Sequence, residues 1–188
     1  ADPCVCVAYR VQCRQHDVEY INAFARFVDA RTVEGVARDP RSGAETVTRL
    51  TADDFLVCTG GRPAYPDVPG AREHCITSDD VFALKTPPGK TLVVGASYVA
   101  LECAGFINGV GFDTTVMMRS IPLRGFDQQM AQHIVDDLEK DGVVFVRGAE
   151  LTRVDALEGG GKEASWTITN VEVFHQSDSF DTVLLAVG

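Results

Sequence analysis

The sequence predicts an α/β protein centred on a doubly wound parallel sheet, with antiparallel β-ribbon beside it. Three observations carry that expectation. The apolar runs at 55–58, 91–94 and 182–187 lack polar alternation, as strands covered on both faces of a parallel sheet require. Between 91 and 146, strand-length runs alternate with helix-length amphipathic stretches, the order that builds a parallel sheet. Segments 18–48 and 149–180 instead hold short β-branched and aromatic stretches cut by turn residues, the texture of ribbon. With 188 residues, 45% apolar and 23% charged, the chain suffices for one ordinary globular domain or two small ones.

Taken in order, the first fifteen residues read as the end of a helix, with Val7, Val11 and Cys4 on one side. Val18-Glu19-Tyr20-Ile21, Ala25-Arg26-Phe27-Val28 and Thr46-Val47-Thr48 read as ribbon strands, with Asp39-Pro40-Arg41-Ser42-Gly43 as turn material. Phe55-Leu56-Val57-Cys58 reads as a buried strand ending at Thr59-Gly60-Gly61. The proline-rich stretch from Arg62-Pro63 to Pro69-Gly70 marks a boundary, so two domains are expected, 1–62 and 63–188. Thr91-Leu92-Val93-Val94 is the next buried strand. A helix should follow with Val99, Cys103, Phe106, Ile107 and Val110 inward, closed by Asn108-Gly109-Val110-Gly111. Residues 113–118 form a third strand. Asp127 then caps a helix to about Lys140, with Met130, Ile134, Val135 and Leu138 inward. Asp141-Gly142 stops it and 143–146 is again strand. Ribbon turning at Gly159-Gly160-Gly161 leads to the final buried run at 182–187.

Acidic residues outnumber basic ones by 27 to 17, for a net charge of −10. A nucleic-acid or anionic-membrane surface calls for a basic patch, so neither is expected as a partner. No run approaches the roughly 18 apolar residues of a membrane span. The opening Ala1-Asp2-Pro3-Cys4 has neither an initiator Met nor a signal-peptide pattern, so no targeting can be read from it. The six cysteines, at 4, 6, 13, 58, 75 and 103, contain no C-x-x-C or C-x-x-x-x-C, and the four histidines are scattered. Free thiols in a reducing, cytoplasmic setting are expected, and no metal site.

The chemistry lies at the turn after strand 91–94. Gly95-x-Ser97-x-x-Ala100 follows the dinucleotide fingerprint G-x-G-x-x-G/A, with serine in the middle slot. Such a turn needs a tight bend and a small residue that lets backbone N–H groups approach a pyrophosphate at a helix N-terminus. A second small residue then permits close helix–strand packing. An NAD site usually places Asp or Glu beyond the following strand, for the ribose 2′-hydroxyl. Here that place holds Arg119, with Ser120 beside it and Arg124 beyond. Guanidinium groups suit a 2′-phosphate, which a carboxylate would repel, so NADPH is favoured over NADH. The plainer alternative is two solvated charges at a strand end. Tyr98 and Glu102 share a helix face; taken alone, they read as a packing aromatic and a solvated glutamate.

The run Thr91-Leu92-Val93-Val94-Gly95-Ala96-Ser97-Tyr98-Val99-Ala100-Leu101-Glu102-Cys103-Ala104-Gly105-Phe106 strongly resembles the NADPH-binding segment of high-molecular-weight thioredoxin reductases and thioredoxin-glutathione reductases. The likeness continues through Thr59-Gly60-Gly61-Arg62-Pro63, Ser78-Asp79-Asp80-Val81-Phe82, Met118-Arg119-Ser120, Leu123-Arg124-Gly125-Phe126-Asp127-Gln128 and Leu185-Ala186-Val187-Gly188. It implies a Rossmann-like NADPH-binding domain preceded by part of an FAD-binding domain.

By that resemblance Gly95, Ser97 and Ala100 would line the pyrophosphate, and Arg119, Ser120 and Arg124 would hold the 2′-phosphate. Tyr98 would gate the nicotinamide, Glu102 would lie near the flavin N5, Thr59 and Gly60 would touch FAD, and Val187 and Gly188 would border the nicotinamide. The implied reaction passes electrons from NADPH to FAD, then to a disulfide, then to thioredoxin, in a homodimeric parent. None of the six cysteines matches the family's redox pair, which would lie before Ala1, while the catalytic His-Glu pair would follow Gly188. The expectation is therefore a central piece of a reductase, inactive alone and monomeric or not. The rival readings are a stand-alone NADPH-binding module without catalysis and an αβ domain with no nucleotide at all.

Overall fold

The computed structural model describes residues 3–168 and 174–187, with side chains from 7 to 168 and from 175 to 187. The chain forms two compact units, 1–60 and 61–188.

In the first unit, helix α1 (Pro3–Gln15) precedes an antiparallel sheet of β1 (Phe24–Asp29), β2 (Thr32–Arg38) and β3 (Glu45–Thr51), in that order. The Asp39 carboxylate accepts from the N–H groups of Arg41 (2.7 Å) and Ser42 (3.0 Å), which sets the turn from β2 to β3. On the middle strand Glu34 is only 5% exposed. It bridges Arg26 on β1 (2.6 Å) and Arg49 on β3 (3.0 Å), so the buried charge is paired on both sides.

Two strand expectations fail in this unit. Val18–Ile21 is not a strand because its backbone serves the end of α1. Asp17 turns left-handed (φ 54°) and the Val18 N–H donates to the Cys13 carbonyl at 2.8 Å, a Schellman-type closure. Phe55–Cys58 has no regular secondary structure and lies in no sheet, and Leu56 is 92% exposed. An apolar run becomes a buried strand only where neighbouring strands receive it. Among the described residues of this unit, the sheet is complete without it, and Phe55 packs edge-on against Phe27 instead.

The second unit opens with α2 (Ala71–His74), β4 (Ile76–Thr77) and α3 (Ser78–Val81), short pieces that the hydrophobic pattern does not announce. Then come β5 (Thr91–Val94), α4 (Tyr98–Gly109), β6 (Thr114–Met118), α5 (Gln128–Lys140) and β7 (Val144–Arg147). An antiparallel ribbon follows, of β8 (Ala149–Ala156), β9 (Lys162–Ile168) and β10 (Phe174–Phe180), before β11 (Thr182–Leu185). The main sheet is wholly parallel, in the order β4-β11-β5-β6-β7. The chain thus steps outward from β5 through β6 to β7, then returns to lay β11 on the other side of β5.

The apolar strands are covered on both faces. Leu92, Val94, Met117, Val183 and Leu185 pack against Leu151, Val154, Ala164, Trp166 and Phe180 of the ribbon. Val93, Val116 and Leu184 pack against Ala100, Leu101, Cys103, Ala104 and Ile107 of α4 and Ala131 of α5. Two helix faces differ from the periodic reading. Phe106 and Val110 are exposed, Phe106 resting on Phe82 with ring centroids 5.3 Å apart. On α5 the stripe is Ala131 and Val135, one residue out of phase with the expected Met130 and Ile134, which are exposed. A stripe anchored on alanine is invisible to a count of large apolar residues. No helix among the described residues is long and apolar enough to cross a membrane.

Candidate functional site

Where strand order reverses, the C-terminal ends of adjacent strands lead their loops apart, and a crevice opens between them. Here that point lies between β5 and β11. The ladder continues past both strands: Ala186 N–H donates to Val94 O and Gly95 N–H to Met117 O, each at 2.9 Å. Gly95 then turns with φ 122° against the end of β11, where a Cβ would stand 2.5 Å from the Ala186 carbonyl oxygen. Only glycine fits that turn.

Ser97 is the N-cap of α4. Its hydroxyl accepts from the Ala100 N–H (3.3 Å) and donates to the Ala186 carbonyl (3.1 Å). The serine in the fingerprint's middle slot therefore ties the helix start to the neighbouring strand end. Beyond the cap, the Tyr98 and Val99 N–H groups have no intrahelical acceptor, and the helix presents its positive end to the crevice.

The crevice is a cavity of about 730 Å³. Gly95, Ser97 and Tyr98 line it from the turn, Arg119, Ser120 and Arg124 from the loop after β6, and Val187 from the end of β11. Its charged lining residues are Arg119, Arg124 and Glu150. Arg124 donates to the Ser120 hydroxyl at 2.6 Å, and Arg119 pairs with Glu150 at 3.3 Å. The loop carrying both arginines is anchored by Leu123, a buried residue at φ 46°, whose N–H donates to the Ala96 carbonyl at 2.8 Å. A non-glycine residue in that conformation stores strain, here held by burial and by the Gln128 amide, which donates to the carbonyls of Pro122, Leu123 and Phe126.

Other residues singled out in the sequence lie elsewhere. Ala100 is fully buried between α4 and the sheet, where a small side chain permits close packing. Glu102 is exposed one turn along α4 and does not line the cavity. Thr59 and Gly60 are exposed residues of the first unit, and Gly188 lies outside the described residues. Cys75 and Cys103 are buried free thiols away from the cavity, and burial pushes the Cys75 thiol up to about 12.

A family profile described as "Pyridine nucleotide-disulphide oxidoreductase" matches residues 7–188. The chain belongs to that family. The crevice brings together a glycine turn, a helix N-terminus and two guanidinium groups. The chain is 57% identical to "Thioredoxin reductase SEP1" of Emiliania huxleyi over 180 residues, which is 96% of this chain and 35% of that protein. It therefore spans about a third of the length of that curated relative. Among solved structures, it resembles the Cu(II) complex of the HOCl-induced flavoprotein disulfide reductase RclA from Escherichia coli. The TM-score is 0.72 at 20% identity, covering 91% of this chain and 36% of that one. A cysteine variant of RclA gives 0.75 at 19% identity, covering 97% and 40%. These likenesses show the same fold.

Sequence reasoning did not find Glu150, Leu123, Gln128 or the cavity wall of Tyr65, Pro66 and Val68. The strand order that brings β8 and the 63–70 segment beside the glycine turn is a long-range property, and no local pattern marks it. The φ of Leu123 likewise leaves no signal in residue type.

Proposed function

We propose that the second unit seats NADPH in the β5–β11 crevice of an FAD-dependent thioredoxin-disulfide reductase. The observation that carries this reading is the junction of a substitution-intolerant glycine turn with two arginines on one cavity at the strand-order reversal. When bound, the nucleotide supplies a hydride for a flavin. The residues of this chain would bind and orient it. Gly95 and the start of α4 receive the pyrophosphate, Arg119, Ser120 and Arg124 hold the 2′-phosphate, and Tyr98, exposed at the cavity edge, covers the nicotinamide. Val187 and Gly188 border the nicotinamide from the end of β11. Ala100 keeps the helix close to the sheet, and Glu102 faces the flavin side. Thr59 and Gly60 mark residues 1–62 as part of an FAD-binding domain. Thioredoxin is the proposed protein substrate of a cytoplasmic, homodimeric parent.

Calorimetric titration of the chain with NADPH and NADH tests the nucleotide assignment. NADPH should bind more tightly, and Arg119→Ala should narrow the gap by about 1.5–3 kcal/mol, the worth of a charged hydrogen bond. An unchanged gap removes the 2′-phosphate role. None of the four cysteines whose side chains are described, Cys13, Cys58, Cys75 and Cys103, lines the cavity. The 188 residues alone should therefore bind nucleotide without thioredoxin-dependent NADPH oxidation, and turnover by the purified chain contradicts that.

A further inference from the structure

Glu150 stands where nothing in the proposed nucleotide site calls for a carboxylate. It projects from β8 between Ala149 and Leu151, which are buried, so strand alternation turns its side chain outward to the cavity mouth. There its Oε1 lies 3.3 Å from Arg119 Nη1, with both side chains largely in solvent, 66% exposed for Arg119 and 52% for Glu150. Arg124, the cavity's other cation, is held by the uncharged Ser120 hydroxyl. The two arginines are thus unequal. One already faces an anion, and the other faces a neutral acceptor that a phosphate can join without charge repulsion.

We propose that Glu150 is a specificity-setting residue: a resident carboxylate that competes with a 2′-phosphate for the Arg119 guanidinium. A guanidinium fork pairs best with one oxyanion at a time in a bidentate arrangement, so a phosphoryl group that takes Arg119 displaces or repels Glu150. A nucleotide lacking the 2′-phosphate leaves the pair intact and meets no such cost. Glu150 therefore weakens binding of the phosphorylated nucleotide selectively, and moderates the preference that the two arginines would otherwise create. This inference rests on the nucleotide reading given above.

The experiment titrates the whole chain with 2′,5′-ADP and with 5′-AMP, which differ at the phosphate in question. Glu150→Gln keeps the side-chain size and removes the charge at an exposed position. It should tighten 2′,5′-ADP by about three- to fivefold, the upper end of what an exposed ion pair is worth, and leave 5′-AMP within about twofold. In an Arg119→Ala background the gain from Glu150→Gln should fall below about twofold, because the contested group is gone. An unchanged ratio of the two affinities overturns the proposal. So does a gain that survives intact in the Arg119→Ala background, which would make Glu150 a general repulsive charge. Weakened 5′-AMP binding in Glu150→Gln also overturns it, since Glu150 would then be a ribose ligand. If the unsubstituted chain binds neither compound, the nucleotide reading falls and the inference with it. Binding that is indifferent to Glu150 removes the inference alone.

Discussion

The Ser97 hydroxyl makes two bonds at once, accepting from Ala100 and donating to Ala186. Removing it leaves the start of α4 uncapped and the Ala186 carbonyl without that donor. Ser97→Ala should therefore cost about 1 kcal/mol in a denaturant-unfolding experiment. Gly95 is more demanding. Its φ of 122° disfavours any side chain, and the added Cβ would meet backbone atoms of Ala186 that have no flexible end to move. Gly95→Ala should cost about 2 kcal/mol or more and lower the unfolding midpoint clearly, while an unchanged midpoint would refute the close approach. Both residues were legible as members of a spaced pattern, because the pattern encodes a turn. Their bonds to Ala186 were not, since that partner lies far along the chain.

Elements that cover both faces with large aliphatic residues, such as β5 and β11, announce themselves in sequence. Elements whose role depends on one small or charged residue do not. The α5 stripe runs through Ala131, and β2 carries Gly35 and the buried Glu34 where an apolar pattern would be sought. Glu34 sets an acid sensitivity for this sheet. Hydrogen bonds from Arg26, and then Arg49, hold its carboxyl below the usual carboxylate range. A depressed folded-state pKa means that the ion pairs contribute fully above the unfolded value, and that their contribution is lost as pH falls through the folded one. The unfolding midpoint should thus decline from about pH 5 downward, and Glu34→Gln should flatten that decline while lowering stability at pH 7. Parallel pH profiles for the two proteins would show that the Arg–Glu–Arg bridge does not set acid sensitivity.

At the scale of the whole molecule, the strand order β4-β11-β5-β6-β7 places one crevice at one reversal point, and the glycine turn, the helix start and both arginines meet there. The parallel core of this arrangement was foreseeable from the strand–helix alternation; the reversal was not, because β11 reaches β5 only after the ribbon has intervened. The first unit shows the opposite case, in which residues 55–58 carry the composition of a buried strand without a sheet to join. Whether the crevice seats the nucleotide is read most directly by amide hydrogen exchange on the 188-residue chain. Saturating NADPH should slow exchange at 95–101 and at 119–124, whereas NADH should slow only the first stretch. Protection confined to residues 1–60, or none in either stretch with nucleotide bound, would contradict the account.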